Sequence, residues 1–245
     1  MTILLSTEQY YPLQTGLASA DYGLTHALAK AGHVVYVISA DIYRTQRLHR
    51  EGKLHMTLSA DMRRQAIEIA PNLFVLEFHI YYEKGWQGEI KAYQDFVRHF
   101  ECDLLITSAI LTWTSDYILD VLPQCVAKKK VLRLHGEYDL MCAGPRGIKQ
   151  ALKDRIKKVL YSPERYKSSA YIPWLRAKLK TSLKHYDRVF FLHARSHGYH
   201  YLKPYCTSVG ILPNGVFAKD ILPPKSLPGA CLTQHPTPNT QPKAA

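Results

Sequence analysis

Short runs of Val, Ile and Leu alternate along the chain with longer segments whose apolar residues recur near helical spacing. This alternation predicts βαβ units around a parallel sheet. The expected strands are residues 2–6, 34–39, 73–78, 103–107, 130–135, 188–192 and 208–212. Between the first two, residues 19–31 carry apolar positions at helical intervals, and Gly32 stands where a helix C-terminus favours φ > 0. The opening is therefore strand, glycine-bearing loop, helix, Gly-His turn, strand. Asn214-Gly215 marks a turn behind the last strand, and the pattern then lapses: seven of the fourteen prolines fall between Pro213 and Pro242. Residues 222–245 lack the apolar surface to order themselves and read as linker or disordered tail. The expected organisation is one doubly wound α/β domain over residues 1–216, followed by a tail over 217–245, with no internal repeat.

Composition narrows the classes. Of 245 residues, 47% are hydrophobic and 21% charged, which excludes a disordered chain, a collagen-like chain and a small disulfide scaffold. Lys and Arg number 32 against 20 acids, for a net charge of +12 and a pI near 9.4. Acidic partners such as nucleic acid, anionic lipid or phosphorylated metabolites come into consideration, and charge alone does not choose among them. Cys102, Cys125, Cys142, Cys206 and Cys231 are scattered without a C-x-x-C pair and read as reduced thiols of a cytosolic protein. The N-terminus opens without a basic leader, as a first buried strand does. The longest apolar run, around residues 104–113, is about half of the roughly 20 residues a membrane span needs. A cytoplasmic protein that could lie on the inner face of the membrane, but not cross it, is expected.

Four constellations could carry chemistry. In the loop from Tyr11 to Gly16, a glycine at the carboxyl end of the first strand lets backbone approach a ligand, and the helix N-terminus behind it favours phosphate. No G-x-G-x-x-G or G-x-x-x-x-G-K-[ST] pattern is present, so a turn glycine without a ligand stays open. Next, the strand before Gly136 ends in His135 and is followed by Glu137 and Asp139. An imidazole at that sheet edge can act as acid or base or hydrogen-bond a sugar hydroxyl, with either carboxylate orienting or replacing it; a satisfied strand-end histidine is the alternative.

The third constellation is basic: between Arg146 and Arg188 lie thirteen Lys or Arg against three acids. Lys149, Lys153, Lys157 and Lys158 fall off the apolar face of one helical pattern. A second helix is expected to start near Ser169 and Pro173, with Ile172, Leu175, Leu179 and Leu183 on one side and Trp174 near its start, in the same segment as Arg176 and Lys180. Basic amphipathic helices with an aromatic anchor suit an anionic membrane surface or a phosphorylated lipid, although ordinary solvated faces have the same pattern. No base-reading or stacking motif is interleaved, so nucleic acid is not an expected partner. Finally, His193 and His197 are four apart, a spacing that zinc sites use on a helix face. Without an H-E-x-x-H pattern or acidic and cysteine ligands nearby, no metal is expected.

The ordered run Tyr11-Pro12, Thr15-Gly16, then Leu28-Ala29-Lys30-Ala31-Gly32-His33-Val34 through Ile38 resembles the N-terminal signature of family 4 glycosyltransferases of the GT-B fold. Leu132 to Gly136 resembles that family's strand ending in His-Gly, and Tyr186-Asp187-Arg188-Val189 its Ala-Asp-x-Val strand. Ile211 to Val216 is similar to its Ile-Pro-Asn-Gly-Val hinge. The loop has one glycine where the family usually has two, and Leu192-His193 replaces the usual Val-Ser.

This resemblance, which spans residues 1–217, implies the Rossmann-like, acceptor-side half of a two-domain enzyme. That enzyme would transfer a hexose from a nucleotide sugar to a glycan or lipid-linked acceptor in polysaccharide biosynthesis. It further implies that Thr15 and Gly16 approach the donor phosphates, that His135 lies by the reaction centre with Glu137 and Asp139 as lesser candidates, and that Pro213, Asn214 and Gly215 form the interdomain hinge. The nucleotide sugar is then a substrate; no cofactor and no metal is required. Because the family pattern stops after Val216, the chain is expected to be a truncated enzyme, one subunit of a split enzyme with a separate donor-binding partner, or a domain reused for binding. The rival expectation is a non-catalytic basic peripheral-membrane or scaffold domain.

Overall fold

Apolar residues on both faces place a strand in the middle of a sheet, covered on each side. A computed structural model of the protein describes residues 1–41, 53–57, 64–83, 86–136 and 168–215. The strands are β1 (Thr2–Ser6), β2 (Val34–Ala40), β3 (Lys53–Thr57), β4 (Gln65–Ala70), β5 (Leu73–Phe78), β6 (Ile80–Tyr82), β7 (Trp86–Gly88), β8 (Leu104–Ser108), β9 (Lys129–Arg133), β10 (Arg188–Phe191) and β11 (Val209–Ile211). All seven runs expected from the sequence are strands, within two residues at either end.

Those seven run parallel, and with β4 and β3 antiparallel at one edge they form a sheet of order β11-β10-β9-β8-β1-β2-β5-β4-β3. β6 and β7 pair as a separate antiparallel hairpin. The order reverses between β1 and β8, where successive strands begin to be added on the opposite side of β1. This is the doubly wound, Rossmann-like α/β arrangement.

The helices are α1 (Gly16–Lys30), α2 (Ile90–His99), the single turn α3 (Trp113–Asp116), α4 (Ser168–Ser182) and α5 (His197–Leu202). Alternation along β1 sends Ile3 and Leu5 to one face and Leu4 to the other. Ile3, Leu5, Val35, Val37 and Val75 pack beneath Ala29 of α1. Leu4, Ile38, Leu105 and Leu132 lie under Tyr93, Phe96 and Val97 of α2 and Leu175 and Leu179 of α4.

α1 starts three residues before the expected Ser19, because the Thr15 side chain accepts the Ala18 N–H and caps it there, and it ends as expected before Gly32 at φ 88°. α4 likewise buries Leu175, Leu179 and Leu183 as its apolar spacing requires. His193 and His197, whose spacing left a shared helix face open, do not share one, since His193 precedes the helix that begins at His197. β10 ends at Phe191, and Ser196, three residues after His193, caps α5 with its Oγ accepting the Tyr199 N–H. The Ser cap sets the helix start.

Candidate functional site

In an open parallel sheet, ligands bind outside the carboxyl ends of the strands at the point where strand order reverses. Here that edge gathers the ends of β1, β8 and β9, the start of α1, and the chain leaving β11. Ala109 and Leu111, directly after β8, both have positive φ, 65° and 66°. For residues with a Cβ this is a strained conformation that the surrounding structure must enforce.

At its centre is a buried charge network. Alternation along β9 points Leu132 into the core beneath α2, so Arg133 faces the other side of the sheet and meets Asp21, one and a half turns into α1. Arg133 Nη1 donates to Asp21 Oδ1 at 2.6 Å, both side chains being almost wholly buried. Its Nη2 donates to Asn214 Oδ1 at 2.9 Å. Burial lowers the Arg133 pKa, and the Asp21 carboxylate opposes that shift. His135 Nε2 lies 3.1 Å from Ser108 Oγ and 3.4 Å from Asp21 Oδ1. Asp21 Oδ2 and Arg133 Nε are buried with no hydrogen-bond partner among the described residues. Buried polar atoms left unmatched are rare in folded proteins, and at a crevice they are the atoms a polar ligand can reach or a water can bridge.

Glu8, two residues past β1, forms a second acidic point. Its Oε2 accepts the Trp113 N–H at 3.2 Å. Burial raises its pKa from 4.5 to about 7, helped by the neighbouring Asp116 carboxylate and opposed by that N–H. A carboxyl group poised near neutrality at a sheet edge is able to give or take a proton under ordinary conditions.

The structure draws His135, Asn214 and the start of α1 to this one edge, and adds Asp21, Arg133, Ser108 and Glu8, which pattern reading passed over. Arg133 did carry a signal, since a cation within Val131-Leu132-Arg133-Leu134 interrupts an otherwise apolar buried strand. Asp21 is the corresponding acid on the buried side of α1. Their pairing spans 112 positions and has no local trace.

The Thr15 hydroxyl, besides capping α1, donates to Gln9 Oε1 at 2.7 Å. Gly16 has no neighbour within 4 Å of where a Cβ would stand, so neither space nor backbone conformation demands a glycine there. Pro213, Asn214 and Gly215 are exposed behind β11, with Asn214 tied back to Arg133.

On α4, Trp174 is 42% exposed. Arg176 is half-buried and Lys180 is exposed, its Nζ 5.5 Å above the Tyr205 ring. Glu137, Asp139, Lys149, Lys153, Lys157, Lys158 and the tail over 217–245 lie outside the described residues. Among the described residues no three His, Cys, Asp or Glu side chains converge as a metal site, and no helix is long and apolar enough to cross a membrane.

Fold and crevice together define a doubly wound α/β domain with a buried Asp–Arg–His network at its switch point. The chain matches no protein-family profile and no curated protein. Among solved structures it is similar to the catalytic domain of starch synthase IV from Arabidopsis thaliana bound to ADP and acarbose, with 11% identity and a TM-score of 0.45. That alignment covers 88% of this chain and 51% of the other, so the chain spans about half the length of that domain. At this identity and score the likeness carries no argument about the site.

Proposed function

We propose that this chain is the acceptor-side half of a GT-B glycosyltransferase. It would act in hexosyl transfer from a nucleotide sugar to a glycan or lipid-linked acceptor once a donor-binding half completes the cleft. The observation that supports this most is the crevice at the switch point, where His135 stands at the mouth of the buried Asp21–Arg133 pair. Ser108 and Asp21 both engage Nε2, so the ring is held at that nitrogen, while Nδ1 makes no hydrogen bond among the described residues. In this reading Nδ1 meets a hydroxyl of the transferred sugar, and the start of α1 at Thr15 and Gly16 takes the donor phosphates. Nothing at Gly16 obstructs a close approach of backbone to phosphate.

The test is binding of UDP-, GDP- and ADP-hexoses to the 245-residue chain by saturation-transfer NMR, and hexosyl transfer after reconstitution with extract of its native cell. We expect weak binding of one nucleotide sugar by the chain alone and reconstituted transfer that His135→Ala abolishes. Absence of binding and transfer across the panel, or transfer indifferent to His135→Ala, would overturn the assignment.

Trp174 and Lys180, both exposed on α4, favour a second reading, a non-catalytic basic domain on an anionic membrane. Sedimentation with anionic but not neutral liposomes, lost in Trp174→Ala, would support it.

A further inference from the structure

Beyond β5 the chain makes a small hairpin before entering α2, and its neck is built rigidly. His79 N–H donates to Glu89 Oε2 at 2.6 Å, and Glu89 N–H returns to the His79 carbonyl at 2.9 Å. Arg64 grips the same Glu89 carboxylate through both terminal nitrogens, at 2.8 and 3.1 Å, and lies 3.7 Å above the Phe78 ring. Gly88 has φ 96°, and a Cβ there would stand 2.0 Å from the His79 carbonyl oxygen, so only glycine closes the neck. Because β5 is parallel to β1, this hairpin emerges from the same carboxyl edge as the crevice.

Alternation gives the hairpin two unlike faces. Ile80, Tyr82 and Trp86 share one; Ile80 is buried, and Tyr82 and Trp86 meet edge to face at 5.0 Å, with Trp86 packed against the core. The register pairs Tyr81 with Gln87, and Tyr81 lies 5.2 Å from the His79 ring two residues before it. Tyr81 is 45% exposed, the His79 side chain 53%, and Gln87 is exposed. Asp41, at the end of β2, holds His79 Nδ1 at 2.7 Å through Oδ2. His79 Nε2 makes no hydrogen bond among the described residues.

The second face thus offers one accessible aromatic ring flanked by an oriented imidazole and a primary amide. A pyranose presents the matching surface: an apolar face of C–H groups that stacks on a ring, bounded by hydroxyls that both give and accept hydrogen bonds.

We propose that Tyr81, His79 and Gln87 form a glycan-binding subsite, with Tyr81 as the stacking platform and His79, positioned by Asp41, and Gln87 bonding to hydroxyls. It deepens the glycosyltransferase reading by placing the acceptor glycan along the sheet edge beside the crevice, and rests on that reading only for the word acceptor. The preformed neck removes most of the ordering cost that a loose loop would bring to so small a contact.

The experiment is titration of the 245-residue chain with cellohexaose, maltohexaose and mannohexaose by saturation-transfer NMR, with the nucleotide-sugar panel run on the same samples. We expect roughly millimolar binding of at least one hexasaccharide, weakened at least tenfold by Tyr81→Ala and severalfold by His79→Ala or Gln87→Ala. Tyr82→Ala, on the opposite face, leaves it unchanged. Nucleotide-sugar binding is unaffected by Tyr81→Ala, and circular dichroism confirms that each variant is folded. No binding of any hexasaccharide, or binding equally sensitive to Tyr82, overturns the subsite. So does loss of self-association by Tyr81→Ala in sedimentation, which makes the face a contact with a second copy. Glycan binding that needs Tyr81 in a protein blind to every nucleotide sugar would leave the subsite standing and remove the transferase reading; the converse pattern would do the reverse.

Discussion

Asp21 and Arg133 are nearly inaccessible, and each leaves one polar atom without a hydrogen bond among the described residues. Removing either partner strands the other's charge in a medium that cannot solvate it. Asp21→Ala should therefore cost about 3–5 kcal/mol of stability by chemical denaturation. Arg133→Lys should also destabilise, because an ammonium cannot reach Asp21 and Asn214 with two fixed nitrogens at once. Glu8 acts through pH. Its folded pKa lies near 7, above the ordinary 4.5, so the folded state binds the extra proton. That contribution is complete below pH 4.5 and is lost as pH rises towards about 7. Glu8→Gln should flatten this decline, leaving the variant more stable than the parent at pH 8 by on the order of 2 kcal/mol in denaturation curves.

At the level of elements, two glycines with opposite environments should respond in opposite ways. Gly16 opens α1 in free space, so Gly16→Ala should leave the melting temperature unchanged or raise stability by about 0.5 kcal/mol. If the start of α1 carries phosphate, the same change should weaken nucleotide-sugar binding, which separates a ligand role from a turn role. Gly88 closes the β6–β7 neck at positive φ against the His79 carbonyl. Gly88→Ala should cost about 2 kcal/mol or more and speed amide exchange in the hairpin. The central parallel strands β1, β2 and β5 were legible because most of their residues are buried and they read as nearly unbroken apolar runs. β4 was not: Gln65 is exposed and residues 68–70 only half-buried, so no such run marks it. β6 and β7, at three residues each, are too short for a period to show.

Over the whole molecule, the last strand is fastened to the crevice by Arg133 through Asn214. Asn214→Ala should leave the melting temperature within about 3 °C, since one exposed partner is lost, yet hasten exchange of the amides at 214–215, read by hydrogen–deuterium mass spectrometry. Unchanged exchange there would show that the tie does not restrain this exit.

Local pattern determined the α/β class, the seven parallel strands, a first helix over residues 19–31 closed by Gly32, and the placement of His135 and Asn214 just past strand ends, because burial periodicity and turn residues act over a few neighbouring positions. Only the tertiary structure decided that Arg133 meets Asp21, that Glu8 lies beside Trp113 and Asp116, and that His79 is aligned by Asp41. Those contacts join residues 38 to 112 positions apart along the chain. They arise from the order in which strands are laid beside one another, and no periodicity of a single strand or helix encodes that order.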